Sequence, residues 1–401
     1  YMSGILFIIG TYPSYGGTEQ VTTYLANQFV AKGYRVAIAS FEQPAPELQK
    51  DCHDSIRLVA LNYPVMSKDN VLKLSNTATE MNLNLIINQW VLPFQTNRLC
   101  RRVRNNNSKC KIISVYHNAP NRNARVTDVD IILKNNPNIG LLKKSMLLSK
   151  RFIMDSVIRA SMHYVYKKSD QYVILSESFR DIFKAYARVA NDYKLSIISN
   201  PLTIPDEVFD ISKKEKIFLY VGRIDYNQKR VQRIIDVWEI VSNKLPEWRL
   251  EIVGDGPDKE KLMSRVKEKG IKRISFEGFQ NPLDYYKKSS LLLLTSEYEG
   301  FGLVIIEGMR YGVVPIVYGS YEAVYDIIQN GETGLITNPP YQQSDIEKAM
   351  LKLASDDIQR QRMLHNCMQK SEHFTIDEVV KNWQELFNKL INENRTTNPT
   401  F

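Results

Sequence analysis

Short apolar runs alternate along the chain with longer stretches in which apolar positions recur every three or four residues. In the first half the runs are Ile5–Ile9, Arg35–Ser40, Leu85–Asn88, Lys111–Tyr116, Gln171–Leu175 and Ser196–Ser199, and the periodic stretches include Glu19–Lys32 and Ser178–Ala187. Runs that are continuously apolar mark strands buried on both faces, so this half predicts a parallel sheet covered by helices. The pattern restarts near residue 215. Strands are predicted at Ile217–Val221, Arg249–Val253, Ile274–Glu277, Leu291–Thr295 and Val314–Val317. Helices are predicted at Val231–Lys244, Lys259–Lys269, Pro282–Lys288, Val304–Arg310 and Ile346–Ala354. Each half reads as α/β, a doubly wound Rossmann-like unit.

A length of 401 residues exceeds one ordinary core and suits two domains of about 200 residues each. Asn200-Pro201-Leu202 and the polar segment to Lys216 read as the linker, because the proline disfavours helix at Asn200. The division expected is 1–200, 201–375 and a closing helix, Ile376–Ile391, within 376–401 that folds back on the first domain. Open parallel sheets gather ligands at the carboxyl ends of their strands. Two such crevices facing each other predict an interdomain cleft.

Composition narrows the classes. Hydrophobic residues at 43% and charged residues at 24% give the balance of a globular protein. The formal net charge of +9 admits nucleic acid, anionic lipid or phosphorylated ligands as partners. Neither zinc-finger spacing nor an aromatic RNA-binding strand is found, so no nucleic-acid partner is expected. Cys52, Cys100, Cys110 and Cys367 are scattered without metal-ligand spacing and read as free thiols of a reducing compartment. The apolar run near the start is too short to span a bilayer and lacks a basic flank, and no other stretch is apolar for ~20 residues. A cytoplasmic location is the expectation.

The strongest chemical signal is Ser296-Glu-Tyr-Glu-Gly-Phe-Gly-Leu-Val-Ile-Ile-Glu307, which follows the strand Leu291–Thr295. Glu299 sits in a glycine-rich turn with Gly300, Phe301 and Gly302; a helix begins near Leu303 and Val304 and carries Glu307 in its second turn. The glycines permit close approach of a ligand to the backbone, and the helix start offers unpaired N–H groups to phosphate. Gly16 and Gly17 open another helix, which carries Glu19, and such a turn can admit phosphate or an acceptor. Asp128-Val-Asp130 has metal-binding spacing but follows a polar segment, so it reads as a loop or helix surface. No strand ends in G-x-G-x-x-G, which sets a dinucleotide-dependent dehydrogenase aside.

Five ordered segments of the second half resemble the retaining family-four glycosyltransferases of the group 1 type, which have the GT-B fold. They are Val221-Gly-Arg-Ile-Asp-Tyr-Asn-Gln-Lys-Arg230, Val253-Gly-Asp-Gly-Pro257, Phe276-Glu-Gly-Phe279, Ser296–Glu307 and Gly331–Ile336. Near the amino end, Tyr12-Pro-Ser-Tyr-Gly-Gly-Thr-Glu19 and Val115-Tyr-His-Asn118 resemble family elements too. The match is close across 217–336 and loose across 118–170.

The resemblance implies a nucleotide sugar as donor, with Arg223 and Lys229 binding its diphosphate in place of a divalent metal. It implies Glu307 on the ribose hydroxyls, and Glu299 positioning the donor sugar rather than attacking it. The amides around Phe301, Gly302, Leu303 and Val304 would bind sugar and phosphate. Gly278 and Phe279 would face the base, and Asp255, Gly16 and Gly17 complete the expected donor contacts. His117 is expected to touch the sugar; Gly17, Glu19 and Asn118 are expected on the acceptor side. Glu177 and Asn200 are weaker candidates. No cofactor and no metal are expected. UDP-sugars are favoured over GDP-mannose, and the acceptor expected is a glycan or lipid-linked glycan of bacterial polysaccharide or lipopolysaccharide synthesis.

Two alternatives fit the same architecture: a nucleotide-sugar epimerase, in which His117 and Glu299 would act as acid and base, and a non-catalytic nucleotide-sugar-binding protein. Separately, Asn138–Arg159 interleaves apolar residues with Lys143, Lys144, Lys150, Arg151 and Arg159. It reads either as a core helix with a solvated basic face or as a surface for anionic lipid, with the Arg98–Lys111 cluster nearby in sequence.

Overall fold

A computed structural model describes residues 3–106 and 109–396. The chain divides into two compact units, residues 1–203 with 376–401, and residues 204–375.

The first unit is built on seven strands: β1 (Gly4–Thr11), β2 (Arg35–Glu42), β3 (Arg57–Ala60), β4 (Leu83–Asn88), β5 (Lys111–Tyr116), β6 (Gln171–Ile174) and β7 (Leu195–Ile197). They are parallel throughout, in the order β3-β2-β1-β4-β5-β6-β7. The helices are α1 (Gly17–Ala31), α2 (Lys68–Glu80), α3 (Phe94–Asn106), α4 (Ala124–Asn135), α5 (Leu141–Lys168) and α6 (Arg180–Ala187). Ile5, Leu6, Phe7 and Ile8 of β1 are fully buried, which is why that run carries no alternation.

The second unit has six parallel strands: β8 (Glu215–Val221), β9 (Arg249–Val253), β10 (Ile274–Gly278), β11 (Ser289–Leu294), β12 (Val314–Tyr318) and β13 (Leu335–Thr337). Their order is β10-β9-β8-β11-β12-β13. The helices are α7 (Val231–Lys244), α8 (Lys259–Glu268), α9 (Leu283–Lys288), α10 (Leu303–Arg310), α11 (Ala323–Ile327), α12 (Gln343–Ser355) and α13 (Asp357–Ser371). The segment entering this unit lies on it: the Tyr311 hydroxyl donates to the Pro205 carbonyl at 2.5 Å and accepts the Glu207 N–H at 3.0 Å.

The last helix, α14 (Ile376–Thr396), belongs to the first unit. Phe387 packs on Phe29 and Tyr34 at ring separations of 5.3 and 5.9 Å, so the helix buries its aromatic stripe against α1.

Both sheets reverse direction beside their first strand, between β1 and β4 and between β8 and β11. Loops that leave adjacent strands at such a point diverge to opposite faces and leave a crevice. In the second unit these are the loops after β8 and β11, which carry the cations and the acidic glycine-rich turn. The stretch read as a core helix or lipid surface forms the amino-terminal part of α5. The core reading is corrected: Leu141 is 87% exposed, Leu142 90% and Phe152 71%.

Candidate functional site

The loop after β8 is organised by a residue with no role in the sequence reading. Asp225 is buried, and its Oδ1 accepts the backbone N–H groups of Asn227, Gln228 and Lys229 at 3.1, 2.7 and 3.1 Å. Its Oδ2 accepts from Nε of Arg223 at 2.8 Å. An aspartate that binds the N–H groups two to four residues ahead closes a compact turn. Here that turn fixes both cations at once. The Arg223 side chain stays 60% exposed, and its fork is therefore open to a ligand. The pattern Arg-x-Asp-x-x-x-Lys was the available signal.

Lys229 points to the neighbouring loop. Its Nζ donates to Oε1 of Glu299 at 2.6 Å, and the two side chains are 18% and 8% exposed. The Ser296 hydroxyl donates to the same oxygen at 2.6 Å. One carboxylate oxygen therefore holds a cation and a hydroxyl together. This lowers its electron density and favours a positioning role over attack on carbon.

Gly302, at φ +91°, ends this turn and precedes α10. A Cβ at Gly302 would sit 2.5 Å from the Tyr321 hydroxyl, so the position excludes a side chain as well as requiring the left-handed region. Phe301 is buried and meets Phe374 edge-on at 5.8 Å, which anchors the turn. Glu307 is buried on α10, and its Oε2 accepts from the Tyr286 hydroxyl at 2.9 Å. Burial, reinforced by the Glu307 charge, pushes the Tyr286 phenol well above its ordinary range, so it remains a donor.

The Gly254-Asp255-Gly256 turn has a structural task. A Cβ on Gly254 would overlap the Gly222 carbonyl, and one on Gly256 would overlap the Ile224 carbonyl. The Ile224 N–H donates to the Asp255 carbonyl at 2.8 Å, so this turn lies flat against the cation loop. The Asp255 carboxylate bonds the Gly256 N–H at 2.7 Å and Lys259 at 3.2 Å, and these donors hold it below the usual carboxylate range. Gly278, at φ +74°, closes β10, and Phe279 is 65% exposed beyond it.

In the first unit His117 and Asn118 follow β5, at the carboxyl end of the sheet. Both ring nitrogens of His117 are buried without a well-formed hydrogen bond. Burial pushes the imidazole down to about 4, and the neighbouring buried Asn200 offsets only part of this. The ring is therefore neutral at pH 7. Gly16 and Gly17 lie at the start of α1, where the Glu19 carboxylate folds back over Gly16, filling the space a Cβ would need. Burial raises the Glu19 carboxyl.

Glu177 lies on the surface in a paired contact with Arg180, at 2.5 and 3.1 Å. Asp128 and Asp130 lie on the surface of α4, and Asp130 is gripped by both Nε and Nη2 of Arg151. Within the second unit the structure thus groups Arg223, Lys229 and Glu299 with the start of α10. His117, Asn118, Gly16, Gly17 and Glu19 belong to the first unit.

Comparison with known proteins bears on this arrangement. The family model described as glycosyl transferases group 1 matches residues 205–369, and that of glycosyltransferase family 4 matches residues 15–203. An uncharacterized glycosyltransferase of Haemophilus influenzae is 24% identical over 390 residues, covering 96% of this chain and 99% of the relative. The Campylobacter jejuni GalNAc-alpha-(1->4)-GalNAc-alpha-(1->3)-diNAcBac-PP-undecaprenol alpha-1,4-N-acetyl-D-galactosaminyltransferase is 26% identical over 63% of this chain and 70% of its own. A lipopolysaccharide 1,6-galactosyltransferase of Salmonella typhimurium is 31% identical over 43% of this chain and 49% of its own. Among solved structures, the Anabaena protein Alr3699/HepE in complex with UDP and glucose aligns at a TM-score of 0.71 with 16% identity, covering 96% of this chain and all of the other (100%). The lipopolysaccharide outer core galactosyltransferase WaaB aligns at 0.68 with 20% identity, covering 96% and 99%.

Proposed function

Because the chain belongs to the group 1 glycosyl transferases and has their GT-B fold, we propose that it moves a hexose from a UDP-sugar to a glycan or lipid-linked glycan, with retention and without a metal. The observation that carries this reading is the Lys229–Glu299–Ser296 cluster beside the start of α10, with Arg223 held next to it by Asp225.

When the donor's anomeric C–O bond breaks, the electron pair leaves with the nucleoside diphosphate. Arg223 and Lys229 are cations fixed before the ligand arrives, and the first amides of α10 add the positive end of a helix dipole. Together they oppose the charge that grows on the leaving oxygens. Glu307 accepts hydrogen bonds from the ribose hydroxyls. The acceptor hydroxyl attacks on the face the diphosphate leaves, and its proton passes to a leaving phosphate oxygen. Glu299, already loaded by Lys229 and Ser296, steadies the sugar and the nascent positive charge.

Donor choice draws on the UDP complex of a structural neighbour and on the galactosyl- and N-acetylgalactosaminyltransferase names of relatives. The undecaprenol diphosphate in one relative's name supports a lipid-linked acceptor. The test is thermal shift with UDP, GDP and ADP, followed by diphosphate release from UDP-sugars and GDP-mannose with and without EDTA. A ligand at 100 times its Kd stabilises by about 2.7 kcal/mol. Stabilisation by UDP, EDTA-resistant turnover and an axial product from an axial donor by NMR are expected. Turnover abolished by EDTA, or an inverted product, refutes the corresponding part.

A further inference from the structure

The amino-terminal half of α5 has a solvent face that neither the fold nor the transfer reaction uses. At about 100° per residue, positions 141, 142, 145, 146, 148, 149, 152, 153, 156 and 157 fall in one arc of roughly 180°. Every one of them is exposed. They are Leu, Met, Phe, Ile, Val and Ser, with no charge among them. The opposite arc carries Leu147, Met154 and Ile158, which are half-buried against the protein.

Between the two arcs run two basic edges, Lys143 with Lys150 on one side and Lys144 with Arg151 on the other. Single exposed apolar residues are ordinary, but Leu141, Leu142, Met146, Phe152, Ile153 and Val157 form one continuous outward strip at 59–90% exposure. Such a strip is stable in the folded protein only if something covers it or water tolerates it.

We infer that this face docks on an anionic lipid bilayer, with the apolar strip in the headgroup–acyl boundary and the two basic edges on lipid phosphates. The charge pattern selects the occupant. A second copy of the chain would bring Lys143, Lys144 and Lys150 against the same three cations, and Asp155 and Asp130 are already engaged. Asp155 is held by Arg159 and the Tyr186 hydroxyl at 2.6 Å each, and Asp130 is held by Arg151. Anionic headgroups complement both edges simultaneously. The helix lies on the surface rather than crossing it: among the described residues no helix is long and apolar enough to span. Part of the Arg98–Lys111 cluster serves the fold instead, because Arg101 donates to the Tyr164 hydroxyl and Arg104 pairs with Asp170, each at 3.1 Å. This inference stands independently of the transfer reaction.

The test is flotation of the full chain with vesicles of phosphatidylcholine alone or with phosphatidylglycerol. Binding to the anionic vesicles, weakened by salt, is expected. Phe152→Glu with Ile153→Glu, and separately Lys143→Glu with Lys150→Glu, should each lower the partition coefficient about tenfold or more. All four positions are exposed, so circular dichroism and thermal unfolding should match the parent. No flotation, equal binding to neutral vesicles, or unchanged binding of both variants would overturn the inference. So would concentration-dependent dimerisation abolished by the Phe152–Ile153 change, which would give the face to a second copy.

Discussion

Lys229→Met separates what the Lys229–Glu299 contact does for the fold from what it does for the reaction. The pair is 2.6 Å apart with side chains 18% and 8% exposed. Removing one partner of a buried pair costs 3–5 kcal/mol in comparable cases, because the other charge stays buried. Ser296 still donates to Glu299, so the loss here should sit near the low end, about 3 kcal/mol. The rate should fall for a different reason: a fixed donor facing the charge of the leaving diphosphate is gone, an effect worth about 10²–10³ in kcat. Lys229→Met with Glu299→Gln removes both charges and leaves an amide oxygen for Ser296. It should return to within about 1 kcal/mol of the parent, since neutral replacement of a buried pair is nearly free of cost. Its turnover should stay low. Urea unfolding measures the first quantity and diphosphate release the second. If the double variant regains parental turnover with its stability, Lys229 serves only the fold and the proposed role at the diphosphate fails.

Glu307→Gln should keep the Tyr286 contact and raise the donor KM by about 10- to 100-fold through a weakened charge-assisted bond to the ribose, with a smaller change in kcat. Gly254→Ala should destabilise the protein by more than about 2 kcal/mol, seen as a lower Tm, because its Cβ overlaps the Gly222 carbonyl at φ +143°. His117, pushed down to about 4 from 6.5, is neutral in the folded state, so its contribution is complete above pH 6.5 and is lost as pH falls towards 4. The loss, up to about 3 kcal/mol, should vanish from the pH-dependence of urea unfolding in His117→Gln.

Much of the scaffold could be read from the chain because buried parallel strands carry an unmistakable apolar signature. Lys111–Tyr116 and Arg249–Val253 have the same bounds in sequence and structure. The pattern is silent on β3, Arg57–Ala60, whose ends are exposed at the sheet edge, and on the three-residue β13. Both are short, so periodicity has too few positions to register. The glycine-rich turn and its two glutamates were legible because glycine, carboxylate and helix start coincide in sequence. Asp225, Ser296 and Tyr286 were not legible as a group. Their work depends on contacts between loops that leave different strands, which no local spacing encodes. The sign of α5 was ambiguous for a similar reason: a helix with apolar residues on two faces does not reveal which one the domain covers.

The two loops at the β8–β11 switch point act as one body, and this explains why the cations can be preorganised. Three consecutive residues of one loop engage three of the other. The Gln228 carbonyl accepts the Glu297 N–H at 2.7 Å and the Gln228 amide reaches the Tyr298 carbonyl at 3.4 Å. Lys229 meets Glu299 at 2.6 Å, and Arg230, in the left-handed region at φ +53°, approaches Glu297 at 3.4 Å. Arg233 completes the lock from the first turn of α7, donating to the Thr295 carbonyl at 3.0 Å and Glu297 at 2.8 Å while its plane lies 4.1 Å from the Tyr341 ring. A cation free to swing would spend much of its attraction on being ordered when charge develops, whereas one already tied to the opposite loop does not. Glu297 holds two arginines in this lock and so ties the loop that carries Lys229 to the loop that carries Glu299.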